Sequence, residues 1–452
     1  MKKRMLWQFG VIIALLLILA ACNGDDYIAD AAGEVSEYAA AHIDIPKVEE
    51  SNGAGYAQII VQDSPPAHYA HVFTSGRTRG EYLEDLDYLY NTLAANFPFF
   101  GVIYRSMGVD MHALYRDTRS HIENIRNIRS DRDFANIVNT QFILPARGAG
   151  HFNMLTGDAL HMHIQIFSNQ VARGGDRFLY FLHELDNPAT RLLHGLTDDD
   201  FAPPTPGVDS FVFATTSDNI EARIIEPGRI AYVNILQMSY ATMPLDRAKL
   251  LNFYRYVADF DHLIIDIRQN GGGDSRFFPQ LVIAPNISEP LEYHFYMLMM
   301  DGAHNRRLLA TWFDNWWDGV TPYPVFQPIH GDLLARLTYL DPSDAEMLDV
   351  YWTWRANIRP AYNEAMFSGK IWLLVSERNF SASEQAAAIT RQTGFATLVG
   401  QTTGGDGIGI NPLVLALPNT GVIVRYSPVY GTDPLGRNNQ EFGTAPHIFN
   451  RP

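Results

Sequence analysis

The chain has a single cysteine, Cys22, among 452 residues. With no second thiol there is no internal disulfide and no thiolate cluster for a metal. Positive charge is also scarce: 34 Lys and Arg stand against 50 Asp and Glu, a formal −16. Removing Lys2, Lys3 and Arg4 with a leader leaves 31 basic residues and a formal −19. A surface of that sign does not suit a phosphate backbone, so no nucleic-acid partner is expected. Clustered metal ligands are missing too. His161 and His163 are spaced to share one face of a strand, but no third ligand follows at a recognisable spacing, and no metal or other cofactor is expected. What the chain does have is apolar material, 47% hydrophobic and 12% aromatic residues, enough for two or three packed units and outside the disordered class.

The first 22 residues run from a basic start (Lys2, Lys3, Arg4) through an apolar stretch, Val11 to Ala20, to Leu19-Ala20-Ala21-Cys22. The apolar run is short for a bilayer span. The tetrapeptide resembles the lipobox of bacterial lipoproteins, and the resemblance implies that residues 1–22 are a signal peptide and that Cys22 receives the lipid. An extracytoplasmic, membrane-anchored protein at the cell surface or in the periplasm is expected, with its one thiol blocked.

Residues 23–80 read as a tether of acidic, Ala-rich and Gly/Pro-containing patches. From Glu81 to Phe97, Leu83, Leu86, Leu89 or Tyr90, and Leu93 recur at three-to-four spacing between Glu84, Asp85 and Asp87, which predicts an amphipathic helix. Helical patterning resumes over Asp110 to Ile143, so residues 81–154 form a mainly helical N-terminal subdomain. Residues 155–227 read as a small strand-rich connecting region without repeats, its strands being His163 to Phe167 and Arg177 to Leu182. Residues 228–452 alternate strand and helix: Ile230 to Ile235, a helix near Leu245 to Phe260, the apolar strand Leu263 to Ile267, and Ile371 to Val375 followed by a helix from Gln385. Apolar strands separated by helices predict an α/β core. Residues 289–367, with Trp312, Trp316 and Trp317 and a helical run near Pro342 to Ala365, read as an insertion in that core.

Ser381 stands where the strand Ile371 to Val375 gives way to a helix. A strand-to-helix turn exposes its hydroxyl beside the free amides of a helix's first turn, as a nucleophile requires. Ser381-x-x-Glu384 also has the spacing of a capping box, which asks only for a helix start. The strand Leu263 to Ile267 runs into Gly271-Gly272-Gly273, a turn that can bring its amides close to another group or can simply be tight. A hydroxyl needs a base. His151 sits between flexible residues in Arg147-Gly148-Ala149-Gly150-His151, where a ring can be presented to a cleft. Glu441, in Asn439-Gln440-Glu441-Phe442-Gly443, offers a carboxylate to orient it.

In order, Gly150-His151, Asp266 to Gly273, Ser381-Ala382-Ser383-Glu384, Gly400 to Gly407 and Gly443-Thr444-Ala445-Pro446 resemble the tail-specific, or C-terminal processing, serine protease family with its tricorn-type core. The resemblance spans about Glu81 to Ile448. It implies a crotonase/ClpP-like α/β core, peptide or protein substrates, and Ser381 as nucleophile. The amide of Ala382, with one from Gly271, Gly272 or Gly273, would form the oxyanion hole. Where the serine-lysine branch has its lysine this chain has Asp406, so the resemblance points to the histidine-using branch, with His151 as base. That branch places its glutamate where Gln440 stands here, one residue before Glu441, and Glu441 is assigned as the third member. No peptide-binding PDZ module is evident between His151 and Pro227. The expectation is an exported, lipid-anchored serine peptidase acting through an acyl-enzyme. The alternatives are a catalytically silent ligand- or peptide-binding protein on the same fold, an esterase using the same serine, and a glycoside hydrolase with the tryptophans as a sugar platform.

Overall fold

A computed structural model describes residues 77–172, 178–202, 214–309, 316–317, 322–323 and 326–450. The expected leader with Cys22, nearly all of the expected tether, and Trp312 lie outside the described residues.

The N-terminal part is helical: α1 (Arg79–Asn96), α2 (Phe100–Met107), α3 (Met111–Asn124) and α4 (Asp131–Val138). In α1 the predicted stripe is buried through Leu86, Leu89 and Leu93, and Thr78 with Glu81 closes a capping box at its start. A short 3-10 turn at Ala149–His151 leads into β1 (Asn153–Leu155).

Most of the expected strand-rich region is helical among the described residues, its strand being Ile220–Glu226 at the far end. His163 to Phe167 lies inside α5 (Gly157–Ala172), and Leu179 to Leu182 begins α6 (Leu179–Leu185), followed by α7 (Pro188–His194) and α8 (Asp198–Phe201). The apolar residues of that segment also fit a helical spacing: Leu160, Ile164 and Phe167 share the buried face of α5. His161 and His163 therefore do not share the face of a strand.

The core follows as β2 (Ile220–Glu226), β3 (Ile230–Ile235), α9 (Met243–Tyr256), β4 (His262–Asp266), β5 (Leu291–Met299), α10 (Ala303–Leu308), β6 (Trp316–Trp317), β7 (Pro322–Tyr323), β8 (Gln327–Pro328), α11 (Gly331–Leu334), α12 (Pro342–Met347), β9 (Val350–Ile358), β10 (Lys370–Val375), α13 (Ala382–Thr393), β11 (Thr397–Gly400), β12 (Leu413–Ala416), β13 (Ile423–Tyr426), β14 (Val429–Thr432), α14 (Asn439–Phe442) and β15 (Ile448–Phe449). The predicted helix from Pro342 to Ala365 stops at Met347, because Tyr351-Trp352-Thr353-Trp354 is an aromatic and β-branched run that suits a strand. That strand, β9, pairs with β5, and β5 pairs with β14 from the C-terminal part, so the inserted segment builds a sheet shared with the core.

The central sheet has the order β15-β11-β10-β4-β3-β2, parallel throughout except for the antiparallel edge strand β2. Leu263, Ile265, Leu373, Val375 and Leu398 are buried in its middle strands. Adjacent parallel strands end on the same side. The segments leaving β4, β10 and β11 therefore emerge side by side, where open α/β sheets present their ligand sites. These segments carry the glycine turn, Ser381 and Asp406. A smaller sheet, β1-β13-β12, ties the segment after His151 to the C-terminal part.

Candidate active site

Ser381 ends the loop that leaves β10. Its backbone has φ 56° and ψ −126°, outside the regions open to an ordinary residue, and its side chain makes no capping bond to α13. The capping-box reading of Ser381 and Glu384 therefore does not describe this turn. Glu384 is instead fully buried: it accepts from Thr444 Oγ1 (2.5 Å), Asn439 Nδ2 (2.7 Å) and the Gly405 amide (3.3 Å). Burial raises its carboxyl above the ordinary value of 4.5, and these donors, with Thr403, act against the shift.

The hydroxyl that locks the turn belongs to Ser383. It accepts from the Phe380 amide (3.0 Å) and donates to the Asn270 carbonyl (2.6 Å). The Asn379 amide donates to the carbonyls of Ile267 (2.5 Å) and Asn270 (3.1 Å), and its oxygen accepts from the Ser376 amide (2.8 Å). The loop after β10 is thus bolted to the loop after β4. Ser381 Oγ has no hydrogen-bond partner among the described residues.

The glycine turn lies directly on this serine. A Cβ built on Gly272, whose φ is 111°, would come within 2.7 Å of the Phe380 carbonyl, 2.9 Å of Ser381 Cβ and 3.0 Å of the Ala382 amide nitrogen. Only glycine fits there. The Ala382 amide, on the first residue of α13, has no acceptor among the described residues, nor have the amides of Gly271 and Gly273. The Gly272 amide, by contrast, donates to Asn270 Oδ1 (2.9 Å). The amides free for an oxyanion hole are therefore Ala382 with Gly271 or Gly273.

His151 lies in the turn that follows the N-terminal helices. Its φ is 51°, and the preceding Gly150 has no room for a side chain, since a Cβ there would lie 2.5 Å from the Phe97 ring. The Gly150 carbonyl accepts from the Ser427 amide (2.6 Å), and the Gly150 amide donates to Gln440 Oε1 (2.9 Å). The imidazole, 12% exposed, has its Nδ1 2.5 Å from Asp406 Oδ2, and its ring centroid is 4.7 Å from that of Phe380, the residue before Ser381. Nε2 has no hydrogen-bond partner among the described residues.

Asp406, whose side chain is 3% exposed, also has a left-handed backbone, φ 54°. Its loop is anchored on both sides: the Ser381 amide donates to the Gly405 carbonyl (3.2 Å), and the Gly407 amide donates to Asn439 Oδ1 (2.7 Å). Among the described residues the positive-φ non-glycine positions are Arg147, His151, Ser381 and Asp406. Each costs on the order of 1–3 kcal/mol, and such positions gather at functional sites.

Glu441 does not reach this histidine. Its carboxylate takes the Nη2 of Arg105 at 2.8 Å, and the same nitrogen reaches Asp344 at 2.5 Å. These carboxylates hold the Arg105 proton far above the usual arginine range. The assignment of Glu441 as third member is therefore corrected: the carboxylate on His151 is Asp406. What marked Asp406 in the sequence was a lysine that is absent, and the cue pointing to a role was a carboxylate in the glycine-rich segment Gly404 to Gly407 that follows a central strand. Asn379 carried no such mark, whereas Asn270 and Ser383 stood within the family motifs and Gln440 at the position of that branch's glutamate.

Residues 229–449 match the model of peptidase family S41. No curated protein sequence matches the chain. Among solved structures, a mutant of CPAF is 13% identical with a TM-score of 0.50, over 82% of this chain and 93% of that one. A Parabacteroides merdae protein is 17% identical with a TM-score of 0.47, over 83% of this chain and 90% of that one. The first likeness is one of fold.

Proposed function

We propose that in this serine-type peptidase, whose residues 229–449 form a peptidase family S41 domain and whose substrates are peptides or proteins, Ser381 is the nucleophile, His151 the general base and Asp406 the carboxylate that orients the base. The observation that carries this reading is the 2.5 Å contact between His151 Nδ1 and Asp406 Oδ2, which leaves Nε2 as the nitrogen able to take a proton.

In the proposed reaction Ser381 Oγ attacks the scissile carbonyl as its proton passes to His151 Nε2. The oxyanion of the tetrahedral intermediate is received by the Ala382 amide and an amide of the glycine turn, a single such donor contributing about 3 kcal/mol. The C–N bond breaks as His151 returns the proton to the departing amine, leaving an ester on Ser381. Water, deprotonated by His151, then attacks that ester, and the acyl C–Oγ bond breaks as His151 returns the proton to Ser381, releasing the new carboxylic acid. Asp406 holds the ring in one tautomer and stabilises the imidazolium formed in each half.

Labelling with a fluorophosphonate tests the assignment. Wild-type protein is expected to label on Ser381, with labelling abolished in Ser381→Ala and slowed by orders of magnitude in His151→Ala. A label that persists in Ser381→Ala, or a wild type that does not label, would sink it. Turnover of peptides against esters separates peptidase from esterase.

The same reading has the mature chain exported and anchored through a lipid on Cys22, motivated by the Leu19-Ala20-Ala21-Cys22 motif. Cys22→Ser is expected to move the protein from the detergent-rich to the aqueous phase on partitioning, and unchanged partitioning would refute the anchor.

A further inference from the structure

Holding the backbone of His151 and aiming its ring are separate tasks. The backbone is fixed on both sides of the residue. Gly150 makes its two hydrogen bonds, and Phe152 is buried with its ring centroid 5.5 Å from that of Phe97 and 5.9 Å from that of Phe142. That leaves the side-chain torsions χ1 and χ2 to aim Nε2. The Asp406 contact fixes Nδ1, a single point, and leaves the ring plane free to turn about it. A second contact is needed to set the plane.

Phe380 supplies that contact. Its ring centroid is 4.7 Å from that of the imidazole and the two planes are tilted by 45°, within the distance at which aromatic rings prefer defined arrangements. Core packing does not account for this ring. Phe380 is partly exposed, and it neither belongs to nor packs against either of the two hydrophobic cores among the described residues. Its backbone, by contrast, is clamped. The Phe380 amide donates to Ser383 Oγ at 3.0 Å, its carbonyl accepts from the Ser383 amide at 3.3 Å, and the residue forms an isolated parallel bridge with Gly405, the neighbour of Asp406. Phe380 therefore precedes Ser381 in the chain, is laced to the loop that carries Asp406, and lays its ring on His151.

We propose that Phe380 is a positioning residue for the base: its ring fixes the plane of the His151 imidazole, so that Nδ1 stays on Asp406 while Nε2 stays aimed at Ser381. The inference rests on the proposed roles of Ser381, His151 and Asp406. A residue so placed sets the base from the nucleophile's own loop, and a shift of that loop carries both groups together.

Rates of fluorophosphonate labelling in a double-mutant cycle test this, because a residue that acts through His151 has nothing to act on once the imidazole is gone. Wild type and His151→Ala are measured first. A wild type that does not label, or a His151→Ala that labels as fast as wild type, overturns the parent reading before Phe380 is reached. With His151 present, Phe380→Ala is expected to slow labelling by about tenfold to a hundredfold, the scale of a small misplacement of a catalytic group. Phe380→Leu keeps the bulk without the flat face and is expected to slow it by about threefold to tenfold. In the His151→Ala background each substitution is expected to change the rate by less than about twofold. Phe380→Leu carries the cycle by itself if Phe380→Ala does not fold. An equal slowing in both backgrounds would mean that the side chain supports the turn of Ser381, and labelling at the wild-type rate would mean that the ring does nothing for the base. Either result overturns the proposal and leaves the three proposed roles standing.

Discussion

The two sides of the site are held in different ways. The sheet side, with the turns of Ser381 and Gly271–Gly273, is bolted from within: Asn270, Asn379 and Ser383 are buried, and their side chains span adjacent loops of one parallel sheet. The histidine side comes from the N-terminal helical part and is held through the two backbone bonds of Gly150 and the Asp406 contact. Between them runs α14, four residues whose side chains diverge. Asn439 takes the Gly407 amide and Glu384, Gln440 takes the Gly150 amide, and Glu441 takes Arg105 of α2. Left-handed conformations at Ser381, His151 and Asp406 persist because such networks over-determine them. The difference teaches that nucleophile geometry is a property of the sheet, whereas base geometry is an assembly property transmitted through α14.

The largest expected effect comes from removing the charge at the junction. Asp406→Asn should lower kcat by about 10⁴-fold, since an amide stabilises the wrong tautomer and no imidazolium. Glu441→Gln, one residue from Gln440 but bound to Arg105, should cost less than about tenfold, because Asp344 still holds the guanidinium. Measured kcat values for the pair decide between the two carboxylates. Comparable losses, or a larger one at Glu441, would return the third role to Glu441.

A smaller effect tests the docking. Gln440→Ala leaves the Gly150 amide without its acceptor, and a buried unpaired donor costs about 1–3 kcal/mol. The expected outcome is a kcat reduced roughly tenfold to a hundredfold with KM little changed, because the substrate-facing loops belong to the sheet. Gln440→Glu restores an acceptor and should recover most of the loss. A rise in KM alone would mean that α14 shapes the substrate cleft and does not place the base.

The same contrast explains what could be read from the chain. Ser381 and the glycine turn follow apolar strands within a few residues, so local pattern placed them. Gly150-His151 stood out by its glycines and its resemblance to a family motif. Its partner did not. Asp406 is 255 positions from His151, and in the sequence it looked like a missing lysine. Choosing between Gln440 and Glu441 required the helix itself, because successive residues on a helix point about 100° apart, one toward Gly150 and the other toward Arg105. The segment His163 to Phe167 misled for a related reason: a short apolar run satisfies strand and helix periods alike, and burial against the helical core decided.

The smallest effect concerns the sheet side, where a carboxyl does the bolting. Glu384, in the first turn of α13, is fully buried, and burial raises its pKa above the ordinary 4.5 despite the donors of Thr444, Asn439 and Gly405. A carboxyl whose folded value is raised contributes stability that is complete below the unfolded value and is lost as pH rises through the folded one. Above that window the native state carries a buried anion, tolerable only because three donors converge on it. Glu384→Gln removes the titration. Its oxygen can still accept from Thr444 and Asn439, while its NH₂ faces the Gly405 amide and forfeits the longest of the three bonds. Urea unfolding of both proteins from pH 4 upward should therefore show the variant losing ground to the wild type at the acid end and recovering as pH rises. Parallel stability curves would mean that the donors outweigh burial and that Glu384 is ionised across the whole range. The sheet side would then be held by a permanent charge.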